Sequence, residues 1–93
     1  MFKVKAKIKL FKGDGKRNTP FKNGYRPLFD FLKESKVSGS IKLIDRGQFK
    51  PGEEAIVYIT FLGSFCKVGT HFSFYESIVP LGEGVILEIV SRD

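Results

Sequence analysis

Residues 2–10 read Phe2-Lys3-Val4-Lys5-Ala6-Lys7-Ile8-Lys9-Leu10, with an apolar side chain at every even position and a lysine at every odd one. Successive side chains of an extended strand point to opposite faces, so a strict period of two predicts a β-strand with one face buried and the other in water. The same alternation returns further along the chain. Phe29 and Phe31 share one side of a second strand, with Leu28 and Asp30 opposite, and Val37, Gly39, Ile41 and Leu43 form the apolar side of a third, opposite Ser38, Ser40 and Lys42. Pro51-Gly52 is a turn pair, proline fixing φ and glycine accepting positive φ. It opens a fourth strand over Ala55 to Leu62. One face of that strand is Ala55, Val57, Ile59 and Phe61. The other, Ile56, Tyr58, Thr60 and Leu62, is apolar enough to expect cover on both sides. Phe72 and Phe74 mark a fifth strand, and Gly84 to Val90 a sixth with Val85, Leu87 and Ile89 inward.

No stretch carries the 3.6-residue period of an amphipathic helix. Six short antiparallel strands separated by glycine and proline turns predict an all-β chain closed into a small six-stranded barrel, which removes the unpaired edges of an open sheet. Between the first two strands, Lys12-Gly13-Asp14-Gly15-Lys16 through Gly24 reads as a long exposed loop. Loops beyond about 12 residues are uncommon unless functional, which makes this one a candidate contact site.

A chain of 93 residues suits one domain, and at that size folding buries roughly 60–65% of the surface exposed by the unfolded chain. No segment approaches the ~18 consecutive apolar residues of a membrane span, and the lysine-studded opening lacks the apolar centre of a signal peptide. A cytosolic address is therefore expected. It agrees with the single cysteine, Cys66, which can form neither an internal disulfide nor a multi-thiolate metal site.

The formal net charge of +6 is unevenly spread: residues 1–46 hold thirteen Lys and Arg against four carboxylates, net +9, and residues 47–93 hold three against six, net −3. Such polarity predicts one surface that attracts anions. Lys3, Lys5, Lys7 and Lys9 share a strand face, continued by Lys12, Lys16, Arg17, Lys22 and Arg26. That set would neutralise several RNA phosphates. The same lysines also serve to solvate an outer face and to block edge pairing. Most phenylalanines alternate inward and are not expected to stack on bases.

Catalysis finds little footing. His71 is the only histidine and has no acid partner in sequence, and Glu53-Glu54 beside the turn read as a solvated pair. One Cys, one His and scattered carboxylates match no metal-ligand spacing. Gly13-Asp14-Gly15-Lys16 lacks the glycine spacing of a phosphate loop and has Arg17 where the hydroxyl residue belongs. No enzymatic activity, metal, nucleotide or other cofactor is expected.

The run Gly15-Lys16-Arg17-Asn18-Thr19-Pro20-Phe21-Lys22-Asn23-Gly24-Tyr25-Arg26-Pro27-Leu28-Phe29 resembles the loop between the first two strands of the C-terminal, third domain of elongation factor Tu and elongation factor 1-alpha. Val37-Ser38-Gly39-Ser40-Ile41-Lys42-Leu43, Pro51-Gly52, Gly69-Thr70-His71-Phe72, Glu76 and Gly82-Glu83-Gly84-Val85-Ile86 come in the family's order. With one residue gained near Lys33 to Lys36 and one lost near Gly63 to Lys67, the resemblance covers nearly the whole chain. It implies a free-standing Greek-key barrel, related to translation, without the GTPase. Its partner would be a tRNA-like RNA or a protein of the translation apparatus.

By that resemblance the tRNA-contacting positions fall on Leu28, Ser38 and Glu76, and the surface meeting the GTPase domain on Gly15, Leu28 and Ser73. The chain departs from the family at several of these. Leu28 stands in place of a glutamine, and Ser77, Ile78 and Val79 replace a glycine pair and an arginine. Leu28, Ile78 and Val79 therefore form an alternative, apolar protein-binding patch. A protein-interaction domain that mimics the elongation factor's barrel, without binding RNA, is the competing expectation.

Overall fold

The computed structural model describes residues 2–13, 19–30, 37–62 and 67–91. Eight strands appear in order: β1 (Phe2–Leu10), β2 (Phe21–Lys22), β3 (Leu28–Asp30), β4 (Val37–Leu43), β5 (Gln48–Phe49), β6 (Glu54–Phe61), β7 (His71–Glu76) and β8 (Val79–Ser91). Six of them close into an antiparallel barrel in the order β1-β6-β4-β3-β7-β8, and β2 pairs separately with β5. The meander β3-β4-β6, with β7 returning to lie beside β3, is Greek-key topology. Among the described residues no helix is long and apolar enough to cross a membrane.

The alternation in β1 does what its period requires. Phe2, Val4, Ala6, Ile8 and Leu10 are buried, and all four lysines lie on the outer face. Ile41, Leu43, Val57, Ile59, Phe61, Phe72 and Phe74 complete the wall of the core. At its centre Phe29 meets Phe61 edge-on at 5.1 Å and Phe72 at 5.5 Å, arrangements the ring quadrupoles favour. Phe31 lies outside the described residues, as do Gly15, Lys16, Arg17 and Cys66.

The segment before β3 departs from the expected exposed loop. Phe21 is buried, stacks on Phe49 at 5.2 Å and on Tyr25 at 4.6 Å, and its strand pairs Phe21 with Phe49 and Lys22 with Gln48. The long connection from β1 to β3 thus carries an aromatic into the core instead of running free over the surface. Arg46 covers the Phe49 ring at 5.4 Å and pairs with Asp45 at 2.9 Å and Glu53 at 3.1 Å, bracing the turn between β4 and β6.

β8 is the second departure. Its period of two predicts Val85, Leu87 and Ile89 on the inner side, yet Leu87 is 39% exposed and Ile86 is buried. Against β1, Lys5 pairs with Glu88 while Ala6 pairs with Ile86, so Leu87 is skipped as a β-bulge; Val90 is skipped in the same way between Lys3 and Val4. Each extra residue reverses the facing of the residues beyond it. Gly82, Gly84, Ile86 and Ile89 therefore point in, and Glu88 points out. The glycines are required there, because a Cβ on Gly82 would lie 2.1 Å from the Lys9 carbonyl oxygen, and one on Gly84 2.6 Å from that of Lys7.

β6 is covered on one side only. Tyr58 and Thr60 are half-buried, whereas Ile56 is 43% exposed and Leu62, just beyond the strand, 73%.

Candidate nucleic-acid interface

Closing the barrel sets outward residues from distant parts of the sequence side by side. Across the lower half of the outer face one row runs Ser91, Lys3, Thr60, Ser40, on β8, β1, β6 and β4. Arg26 extends it: Tyr25 bridges Ile41 and Leu28 pairs with Ser38 in one register, which sets Arg26 opposite Ser40. The next row runs Glu88, Lys5, Tyr58, Lys42 on the same four strands. Neighbouring strands lie ~4.8 Å apart and alternate residues ~6.6 Å along a strand. Lys3, Lys5, Lys42 and Arg26 thus occupy a field roughly 7 by 14 Å.

The segment leading to Arg26 is held by its backbone. Gly24 N–H donates to the Ile41 carbonyl and Ile41 N–H to the Tyr25 carbonyl, each at 2.9 Å, and Tyr25 N–H to the Lys22 carbonyl at 3.2 Å. The Asn23 side-chain oxygen accepts from the Leu43 N–H. Arg26 is thereby presented from an extension of β3 rather than from a free loop.

Tyr58 organises the centre. The Lys3 ammonium lies 4.7 Å from its ring centroid and that of Lys5 5.9 Å, both within cation–π range. The negative face of the ring lets two like charges sit close together while its own stacking surface is occupied. Lys5 also approaches the Glu88 carboxylate at 3.7 Å. Among the described residues Glu88 is the one carboxylate in these two rows.

The other half of the lysine stripe has a different environment. One rung crosses five strands as Glu54, Lys9, Glu83, Ser73, Asp30, and Lys7 pairs with Glu54 at 3.6 Å. With His71 these residues border a surface cleft of about 480 Å³. Three carboxylates there offset two lysines, so the stripe is locally neutralised at its upper end. Among the described residues no group of three or more His, Cys, Asp or Glu is arranged to hold a metal ion.

The remaining predicted residues are dispersed over the barrel. Ser38, Leu28 and Tyr75 are cross-strand neighbours on the outer face, so the structure brings Leu28 and Ser38 together, whereas Glu76, the next residue at the end of β7, takes the opposite parity and pairs with Val79. Leu28 and Ser38 adjoin the basic field, since Leu28 is two residues from Arg26 and Ser38 two from Ser40. Ile78, 84% exposed, and Val79 form the tip of the β7–β8 hairpin beyond Glu76. Ser73 lies away from them in the acidic rung, and Lys22 is exposed on β2.

Lys42, Tyr58 and Thr60 join the site without having stood out as candidates in the sequence. Their positions in the alternation of the third and fourth strands fix which way they face. Their proximity to Lys3 and Lys5 depends on the pairing of β4 with β6 and of β6 with β1. No protein-family model matches the chain.

Proposed function

We propose that this chain is a non-enzymatic binding module, resembling the third domain of elongation factor Tu, that engages the backbone of a tRNA-like RNA in the cytosol. The observation that carries the reading is the convergence of Lys3, Lys5, Lys42 and Arg26 on one face with the hydroxyls of Ser40, Thr60 and Ser91. Cations supply sequence-independent attraction to phosphates, and hydroxyls fix register by hydrogen bonds to phosphate and sugar oxygens. Ser38 borders this face, and Glu76 stands at the end of β7, at the base of the β7–β8 hairpin. Lys7 and Lys9 contribute less, because Glu54, Glu83 and Asp30 surround them.

The test is a salt titration of binding to unmodified tRNA. Four neutralised phosphates on a duplex correspond to a slope of about −3.6 in log K against log salt, a loss of roughly 150-fold between 50 and 200 mM. A flat isotherm over that range removes the reading. Lys42→Gln is expected to reduce the slope by about 0.9 while leaving the fold intact.

A second reading has its own support in Ile78 and Val79, apolar and exposed at a hairpin tip next to the row Leu28, Tyr75, Pro80. There the chain would dock a protein of the translation apparatus in place of the elongation factor's barrel. Leu28→Gln with Val79→Arg then lowers recovery of nuclease-resistant partners in a pull-down. Unchanged recovery discards it.

A further inference from the structure

Glu88 occupies an unusual position for a carboxylate. It faces the basic field only because Leu87 is skipped in the pairing of β8 with β1; continuing the facing of Gly82, Gly84 and Ile86 would turn residue 88 inward. The bulge places it directly opposite Lys5, 3.7 Å from the ammonium, with its side chain 61% exposed. Lys5 is thus shared between the Tyr58 ring and an internal anion, while Lys3 lies over the ring alone in that row pair.

We propose that Glu88 is a built-in competitor for phosphate: it holds Lys5 in the free protein and must yield when RNA arrives. The inference rests on the RNA-backbone reading above and adds the element that sets its affinity. An exposed ion pair is weak, so a dense array of phosphates displaces it whereas an isolated anion does not. The device lowers affinity for short or sparsely charged ligands and reduces the number of counterions released on binding, since one of the face's four cations is already partly neutralised.

The experiment compares wild type, Glu88→Gln and Glu83→Gln on a tRNA over 50–300 mM salt. Glu83→Gln makes the same change in net charge within the acidic rung, about 13 Å along β1 from Lys5, beyond the Debye length of ~8–10 Å at 0.10–0.15 M salt. Glu88→Gln is expected to tighten binding about two- to fivefold at 100 mM salt and to steepen the slope by as much as 0.9. Glu83→Gln leaves both nearly unchanged. In a Lys5→Gln background the effect of Glu88→Gln should vanish, because the group it competes for is gone.

Equal effects of Glu88→Gln and Glu83→Gln, or an effect that persists without Lys5, would overturn the competitor role while leaving RNA binding in place. Binding by Glu88→Gln where wild type shows none supports it. Absence of binding by every variant removes the RNA reading and this inference together.

Discussion

Substituting alanine for Gly82 is the sharpest mechanical probe of the barrel seam. Gly82 faces inward on β8, opposite Leu10 of β1 and Phe74 of β7. An added Cβ would lie 2.1 Å from the Lys9 carbonyl oxygen and 2.5 Å from Cζ of Phe74. The phenylalanine ring has limited room to rotate, and the carbonyl belongs to a strand hydrogen-bonded on both edges, so relief requires β1 and β8 to part. Overpacking of this kind costs about 1–3 kcal/mol and occasionally more; with a backbone atom as the nearest neighbour, ~3 kcal/mol is expected. For a domain of 60–100 residues that is a fall in Tm of roughly 12–24 °C. Gly39→Ala meets only side chains, Phe61 at 2.7 Å and Phe29 at 2.9 Å, and should cost less. Gly47→Ala meets nothing within 4 Å and should stabilise slightly, by about 0.4–1 kcal/mol, through the unfolded chain. Thermal denaturation monitored by circular dichroism reads the series. A Tm for Gly82→Ala equal to that of wild type would mean that β1 and β8 do not approach as described, and the closed barrel would have to be abandoned.

Particular residues lead to three further outcomes. Ser77 adopts φ 59° at the first central position of the two-residue hairpin between Glu76 and Val79, a conformation that costs a side-chain-bearing residue about 1–2 kcal/mol; Ser77→Gly should raise Tm, and a lower Tm would contradict the turn geometry. Ile59→Ala, at a fully buried position in β6, should cost ~2–5 kcal/mol in urea denaturation, and a loss below ~1 kcal/mol would show that the site is not tightly packed. The hydrogen bond from Arg46 holds the Asp45 carboxyl below its ordinary value. A depressed folded-state pKa adds stability above the unfolded value of ~3.9 that is lost as pH falls through the folded one. Asp45→Asn should flatten the pH dependence of Tm below about pH 4, and an identical acid limb in both proteins would discard that pair as a contributor.

Much of the barrel is legible in the sequence because its strands keep the period of two. β1 alternates without exception, and the same signal locates β4, β6 and β7 to within a residue or two. The failures have physical causes. The facing of β8 comes out partly inverted because the bulge at Leu87 adds a residue, so that the phase that holds for Ile89 fails for Val85, and a period-two reading has no means of seeing a skipped residue. Phe21 reads as part of an exposed loop because its partner, Phe49, lies far away in sequence and the strand that joins them is two residues long. The lysine stripe is visible in full, but its division is not. Glu54 and Glu83 face Lys9 from strands dozens of residues further along the chain, and Tyr58 gathers Lys3 and Lys5 only once β6 is paired with β1. Alternation tells which way a side chain points; register decides whom it meets.

The most direct test of the basic face is a comparison of two charge-removed variants on tRNA at 50, 100 and 200 mM salt. One replaces Lys3, Lys5, Lys42 and Arg26 by glutamine, and the other replaces Lys7 and Lys9. The first should lose nearly all salt-dependent affinity, while the second retains a slope close to that of wild type, between about −2.7 and −3.6 with Lys5 partly neutralised by Glu88. Equal weakening by both, or binding that survives in the first, would place the RNA contact elsewhere on the barrel.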